Sequence, residues 1–258
     1  MLPPWSSDAL SLYFEQAEHN ERVFSLACPD VYDFLRRVDG AFAALSVAVE
    51  NDNNDARLLP RISVVRVRSS FLAALRLGMS GQMPEAFCLI RSVIETSWYA
   101  LHIARDPKVT QRAECWLRRN ETDDAKRRCK QEFTISRVVA THRNCDSVTA
   151  GQLHTIYERT IDAGAHPNQF GAMGSMMSFD AADQITYSVG ILYPAQLQVL
   201  FTVKTAAEAA IGGLKVFAQI FPERFRLVGL DENVESLVSE LNVIFLNYRE
   251  ASSGPSAA

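Results

Sequence analysis

The sequence predicts an all-α fold, a helical bundle with an irregular loop or short β-hairpin around residues 165–193. Three observations predict it. Apolar residues recur at three- and four-residue spacing along most of the 258-residue chain, of which 48% is hydrophobic. Proline, glycine and Asn/Asp-rich breaks separate these runs at helix-length intervals. One segment, 165–193, abandons the helical period: it gathers Pro167, Gly171, Gly174 and Gly190 around "MMSF" and the alternating "ITYSVGIL", and Pro194 closes it.

In chain order, Ser7 to His19 reads as a short helix capped by Ser or Asp. Pro29 and Asp30 open a second helix that runs to about Glu50, and "NDNND" at 51–55 is a loop signal. A third helix spans about Pro60 to Met79, with Ile62, Val65, Ser69 and Leu72 on one face. Gly78 and Gly81 bracket a tight turn into a fourth helix, about Pro84 to Arg105. Its apolar stripe is Phe87, Ile90, Ile94, Ser97 and Leu101. So short a turn makes the third and fourth helices an antiparallel hairpin. Pro107 restarts the chain into "KVTQRAECWLRRNET", and "DDAKRRCKQEFTISRVVATHR" reads as one charged helix. Asp146 or Ser147 caps a helix that runs to about Gly164. Beyond the loop come a long helix, about 194–221, and a last one from Asp231 to Tyr248. Residues 1–55 thus read as acidic N-terminal helices, 56–250 as the main bundle and 251–258 as a disordered tail, together one domain.

Charge is divided unevenly. Residues 1–55 hold 3 basic and 10 acidic side chains, and residues 56–143 hold 17 basic and 8 acidic, in a chain of net charge -4. A basic middle between acidic ends implies either internal pairing between segments or an anionic partner such as RNA. Arg57, Arg61, Arg66, Arg68 and Arg76, with "WLRRN" and "KRRCK", carry that possibility, and Trp116 is available for stacking. Aromatic interleaving is otherwise sparse.

The five cysteines, Cys28, Cys88, Cys115, Cys129 and Cys145, form no CxxC pair, so they read as reduced thiols of a cytoplasmic protein. "MLPPWSSDAL" lacks the basic start and apolar run of a secretion signal. The least charged run, 184–203, is interrupted by Gln184, Thr186, Ser188, Pro194, Gln196 and Gln198, and no membrane span is assigned. No glycine-rich phosphate loop, GxSxG elbow or HExxH is present.

Two constellations could carry chemistry. In "ERTIDAGAHPN", Arg159, Asp162 and His166 follow helical spacings of three and four. Asp162 would fix the tautomer of His166, leaving one ring nitrogen for acid–base work, and Arg159 would hold a phosphate or carboxylate. Pro167 places His166 at the helix end, where the dipole favours the imidazolium. The plainer reading is an exposed last turn. On the fourth helix, Arg91, Glu95, Trp98 and His102 form a polar-aromatic stripe beside the apolar one. It reads as a buried ion pair supporting the hairpin, or as the wall of a pocket facing His166. No Glu-x-x-His pair occurs on any helix, so a di-iron bundle is not expected, and neither metal nor cofactor is assigned.

Two stretches carry a resemblance. "SFLAALRLGMSGQMPEAFCLIRSVIETSWYALHI", with Ala86, Leu89, Arg91, Ser92 and Glu95 in an A-x-x-L-x-R-S-x-x-E pattern, resembles the hairpin of a group of bacterial helical proteins of unassigned function. "YERTIDAGAHPN" resembles their later helix, which ends in histidine. That group is similar to the HEPN superfamily of compact helical bundles. The resemblance implies a homodimer acting as a binding, scaffold or sensor protein. It also admits a metal-independent endoribonuclease of toxin or defence type, in which His166 moves the proton of a ribose 2′-hydroxyl and Arg159 stabilises phosphoryl charge. In active members the residue after the arginine is commonly Asn, Asp or His, whereas here it is Thr160. A third reading is a small-molecule enzyme with a pocket under the 165–193 loop.

Overall fold

Asp8 starts the first helix because its side chain accepts hydrogen bonds from the backbone of Leu10 and Ser11, two donors a helix start leaves unpaired. In the computed structural model, which describes residues 8–52, 54–165, 176–181, 184–192 and 196–252, that helix is α1 (Ala9–Ala27). It runs well past the expected end at His19. Pro29 sits in the first turn of α2 (Pro29–Glu50), where its missing N–H goes unmissed. The Asn/Asp-rich stretch then makes a short turn, Asp55–Arg57, capped by Asn54. α3 (Leu58–Ser80) and α4 (Met83–Ala104) follow as an antiparallel hairpin. Gly81 closes α3 in the left-handed conformation at φ 96°, which a residue with a Cβ adopts only with strain.

The stretch expected as one charged helix is two. α5 (Gln111–Leu117) and α6 (Asp123–Glu132) are short, and α7 (Ile135–Cys145) starts anew after a break at Phe133 and Thr134. Phe133 is buried and its carbonyl accepts from the Tyr99 hydroxyl at 3.2 Å, so tertiary contacts take the place of continued helix. Asp146 caps α8 (Ser147–Thr160) through Val148 and Thr149. α8 ends at Thr160, four residues before the expected stop, and Ile161–Ala165 forms a single π-type turn. The interrupted segment contains the expected hairpin: β1 (Met176–Ala181) pairs antiparallel with β2 (Gln184–Val189), Met176 opposite Val189 and Ala181 opposite Gln184. The chain ends in α9 (Gln196–Ile220), α10 (Pro222–Leu227) and α11 (Leu230–Ser252). The six-residue α10 was not expected. Residues 253–258, most of the expected tail, lie outside the described residues.

α4 is the central helix, packed against α3, α9, α7 and α8. Its stripe Phe87, Ile90, Ile94, Ser97 and Leu101 is fully buried, as is Trp98. Each large apolar side chain so removed from water contributes about 1.5–3 kcal/mol. One continuous core joins Phe24 of α1 to Phe245 of α11, so the acidic helices and the main bundle share it. α3 turns the other way from its expected face. Val64, Val67, Phe71 and Ala74 are buried, while Leu58, Ile62, Val65 and Leu72 are 42–59% exposed. Arg61, Arg66, Arg68 and Arg76 all fall on that outer face, so it is the charges, not the apolar spacing, that mark the inner side. No helix among the described residues is long and apolar enough to cross a membrane.

Candidate functional site

The polar stripe of α4 meets α8 in one connected cluster. Arg91 Nε donates to Glu95 Oε1 at 2.8 Å, one helical turn on, and Arg91 Nη2 donates to the Tyr157 hydroxyl at 2.8 Å. The guanidinium also lies 5.0 Å from the centre of the Tyr157 ring. Both members of the ion pair are half-buried, with 22% and 30% of their side chains exposed. Burial works against the charge on Arg91, but the carboxylate of Glu95 prevails and holds its pKa above the ordinary value. Tyr157 is itself buried, and burial followed by Glu95 pushes its phenol up despite Arg91.

Behind this pair, Trp98 is completely buried against Tyr157, ring centres 5.5 Å apart. Its indole N–H donates to His142 Nδ1 on α7 at 3.0 Å. The indole can only donate, so the proton of neutral His142 sits on Nε2. That nitrogen is buried and has no hydrogen-bond partner among the described residues.

One turn further along α4, His102 is buried at 1% exposure. Its Nε2 lies 3.2 Å from Glu132 Oε1 and its Nδ1 lies 2.7 Å from Thr141 Oγ1. A carboxylate only accepts, so Nε2 carries the proton and Nδ1 accepts from the hydroxyl. Burial, then the charge of Arg112, pushes the His102 pKa down. Glu132 also accepts from Arg112 Nε at 2.9 Å and Arg137 Nη1 at 2.6 Å. Arg112 Nη1 in turn donates to the carbonyls of His102 and Arg105. His102 therefore supports a carboxylate that pins an arginine.

The stripe of four does not act as one unit. Arg91 and Glu95 join Tyr157, Trp98 joins His142, and His102 joins Glu132. Tyr157, His142, Glu132 and Arg112 were not anticipated, because each is brought in by a non-local contact that no spacing reports.

At the end of α8, Arg159 Nη1 lies 3.3 Å from Glu208 Oε2 on α9, and Lys204 pairs with the same carboxylate. The guanidinium stacks 5.6 Å from the centre of the Phe201 ring. Asp162 is exposed in the π turn. His166 lies outside the described residues, as does much of the loop expected to roof a small-molecule pocket. The π turn is held by close packing: Gly164 has φ 147°, and a Cβ there would lie 2.7 Å from Pro84 Cα. Among the described residues no three His, Cys, Asp or Glu side chains converge as a metal ion requires.

The charge division resolves in part as internal pairing. Arg68 bonds Asp39 through two nitrogens at 2.6 and 3.0 Å, Arg76 bonds Glu21 at 3.1 Å, and Arg57 lies 3.5 Å from Asp52. Arg61 donates to the Glu50 carbonyl. Among the described residues, the acidic N-terminal segment thus pairs three of the five arginines between residues 56 and 84 with carboxylates. Trp116, the residue available for stacking, is half-buried against the core. No family model matches the chain, and no curated protein or solved structure matches it.

Proposed function

We propose that this chain is a HEPN-like helical binding protein that acts as a homodimeric scaffold or sensor. The observation that carries the reading is the outer face of α3. Leu58, Ile62, Val65, Ser69 and Leu72 follow spacings of four, three, four and three, and the four apolar ones are all exposed. This is the seam spacing by which two helices pack along their length, and its exposed apolar surface marks an interaction site. Of the four arginines on this face, Arg68 and Arg76 are already matched by Asp39 and Glu21, which lowers the repulsion that a second copy of this basic helix would meet. The groups that could do chemistry point the same way: Arg91 is bound to Glu95 and Tyr157, and Arg159 to Glu208. The test is the mass of the purified protein by light scattering, with Val65→Glu beside the parent. A dimer that becomes a monomer supports the reading, and a parent that is monomeric at all concentrations removes it.

A second reading, a metal-independent endoribonuclease using Arg159 and His166, is favoured by the π turn that directly follows Arg159, since such turns recur at functional sites. Labelled total RNA incubated in EDTA with the parent and with His166→Ala separates the two. Cleavage lost in the variant establishes the nuclease, because the 2′-hydroxyl of RNA is then the nucleophile.

A further inference from the structure

The cleft between α5 and α6 encloses about 660 Å³, within the range of small-ligand sites. Its walls carry Lys108, Arg112, Arg118, Arg128 and Arg137. Four carboxylates line the cleft with them, and one of these, Glu132, is matched by two of the arginines. Asp106 accepts from the backbone of Lys108 and Arg112, while Glu132 accepts from Arg112, Arg137 and His102. Glu114 takes a hydrogen bond from Thr110, and Glu121 completes the set. Lys108, Arg118 and Arg128 have no carboxylate within ion-pair distance among the described residues.

Arg112 differs from those three. Its side chain is 19% exposed and is fixed by three hydrogen bonds through Nε and Nη1, to Glu132 and to the carbonyls of His102 and Arg105. A guanidinium held in one orientation loses little freedom when it meets an anion. The buried His102–Glu132 pair is the support behind it. At the rim, Val109 adopts φ 64°, a conformation that a β-branched residue holds only when its surroundings impose it. No aromatic side chain lines the cleft, so it offers no stacking surface for a base.

We propose that the α5–α6 cleft binds a small polyanion bearing several phosphate groups, with Arg112 as the fixed anchor and Lys108, Arg118 and Arg128 closing on the ligand. The site lies on other helices than the α3 seam and stands or falls separately from dimerisation. It also gives the His102–Glu132 pair a positioning role.

Titration calorimetry on the full chain tests it with tripolyphosphate, ATP, citrate and a single-stranded RNA oligomer as probes. Tripolyphosphate binds in the micromolar range, and ATP binds within about threefold of it, because charge rather than the base is recognised. Citrate binds more weakly, since its carboxylates match fewer donors. Arg118→Ala with Arg128→Ala, both exposed and outside the core, weakens tripolyphosphate at least about tenfold. Lys126→Ala with Arg127→Ala, a control pair on α6 beside Arg128 but off the cleft, leaves it unchanged. Arg112→Lys keeps the charge but loses the fork and weakens binding. No tripolyphosphate binding, equal loss in the control pair, or binding of RNA alone would each overturn the proposal.

Discussion

Trp98 donates its indole N–H to Nδ1 of His142, and this one bond fixes the tautomer of a histidine sealed in the core. Burial pushes the His142 pKa from the ordinary 6.5 down to about 4, against the opposing pull of Asp146. A histidine whose folded pKa is depressed binds fewer protons folded than unfolded, so its contribution to stability is intact above 6.5 and is lost as the pH falls from there towards 4. Between pH 7.5 and 5 the loss is about 2 kcal/mol. Urea melts at the two pH values should show it, and His142→Gln, which does not titrate, should lack that part of the pH dependence. Equal slopes in parent and variant would place the acid sensitivity elsewhere. His102, also pushed down, acts in the same direction in both proteins.

Glu95→Ala leaves Arg91 half-buried without its carboxylate partner and should cost about 1–3 kcal/mol. Arg22→Ala breaks a pair with Glu18 in which both side chains are more than half exposed, and should cost about 0.5 kcal/mol or less. The comparison is made on urea midpoints. Equally mild effects would mean that the cluster around Tyr157 adds nothing to the hairpin.

Gly164 and Gly40 should respond in opposite directions to alanine. At Gly164 a Cβ meets the backbone of Pro84 at 2.7 Å in a left-handed conformation, so Gly164→Ala should lose about 2–4 kcal/mol. Gly40 sits exposed inside α2 with nothing within 4 Å of a new Cβ, so Gly40→Ala should gain about 0.5–1 kcal/mol. Thermal melts of the two variants read both signs, and a stable Gly164→Ala protein would show that the π turn can relax away from α4.

If two copies pair along the α3 seam as proposed, Ile62→Glu and Val65→Glu should abolish that pairing while leaving the melting temperature of the monomer nearly unchanged, because both side chains lie outside the core. Sedimentation equilibrium measures the first and calorimetry the second. A large fall in melting temperature would instead show that the seam is needed within a single chain.

Much of the helical frame could be read in the residues. α2 and α4 start at prolines and keep a clean apolar stripe, so their bounds and the buried face of α4 follow from local pattern. The alternation in "ITYSVGIL" likewise announced β2. Elsewhere local pattern was insufficient. α3 carries apolar residues on both sides, and the arginines interleaved with Ile62 and Val65 keep that side out while Val64 and Phe71 go in, a signal that apolar spacing alone does not show. The break at Phe133 answers to Tyr99, thirty-four residues away. For the site, the Arg91–Glu95 pair was visible at i,i+4. Its third member, Tyr157, was not, because a contact between helices leaves no mark in the spacing of either. Arg159 lies at the end of α8 as its spacing implies, but its partner Glu208 is on a helix that the spacing does not reach.

The ion pairs that tie α1 and α2 to α3 bear on how this protein should be dissected. A fragment beginning after residue 55 keeps Arg57, Arg61, Arg66, Arg68 and Arg76 and discards Asp39, Glu21 and Asp52, so a partly neutralised face becomes a more strongly cationic one. Such a fragment would hold nucleic acid through unmatched charge alone. A pull-down with trimmed protein would then report an affinity created by the trimming, and only the uncut chain can say whether RNA is a partner.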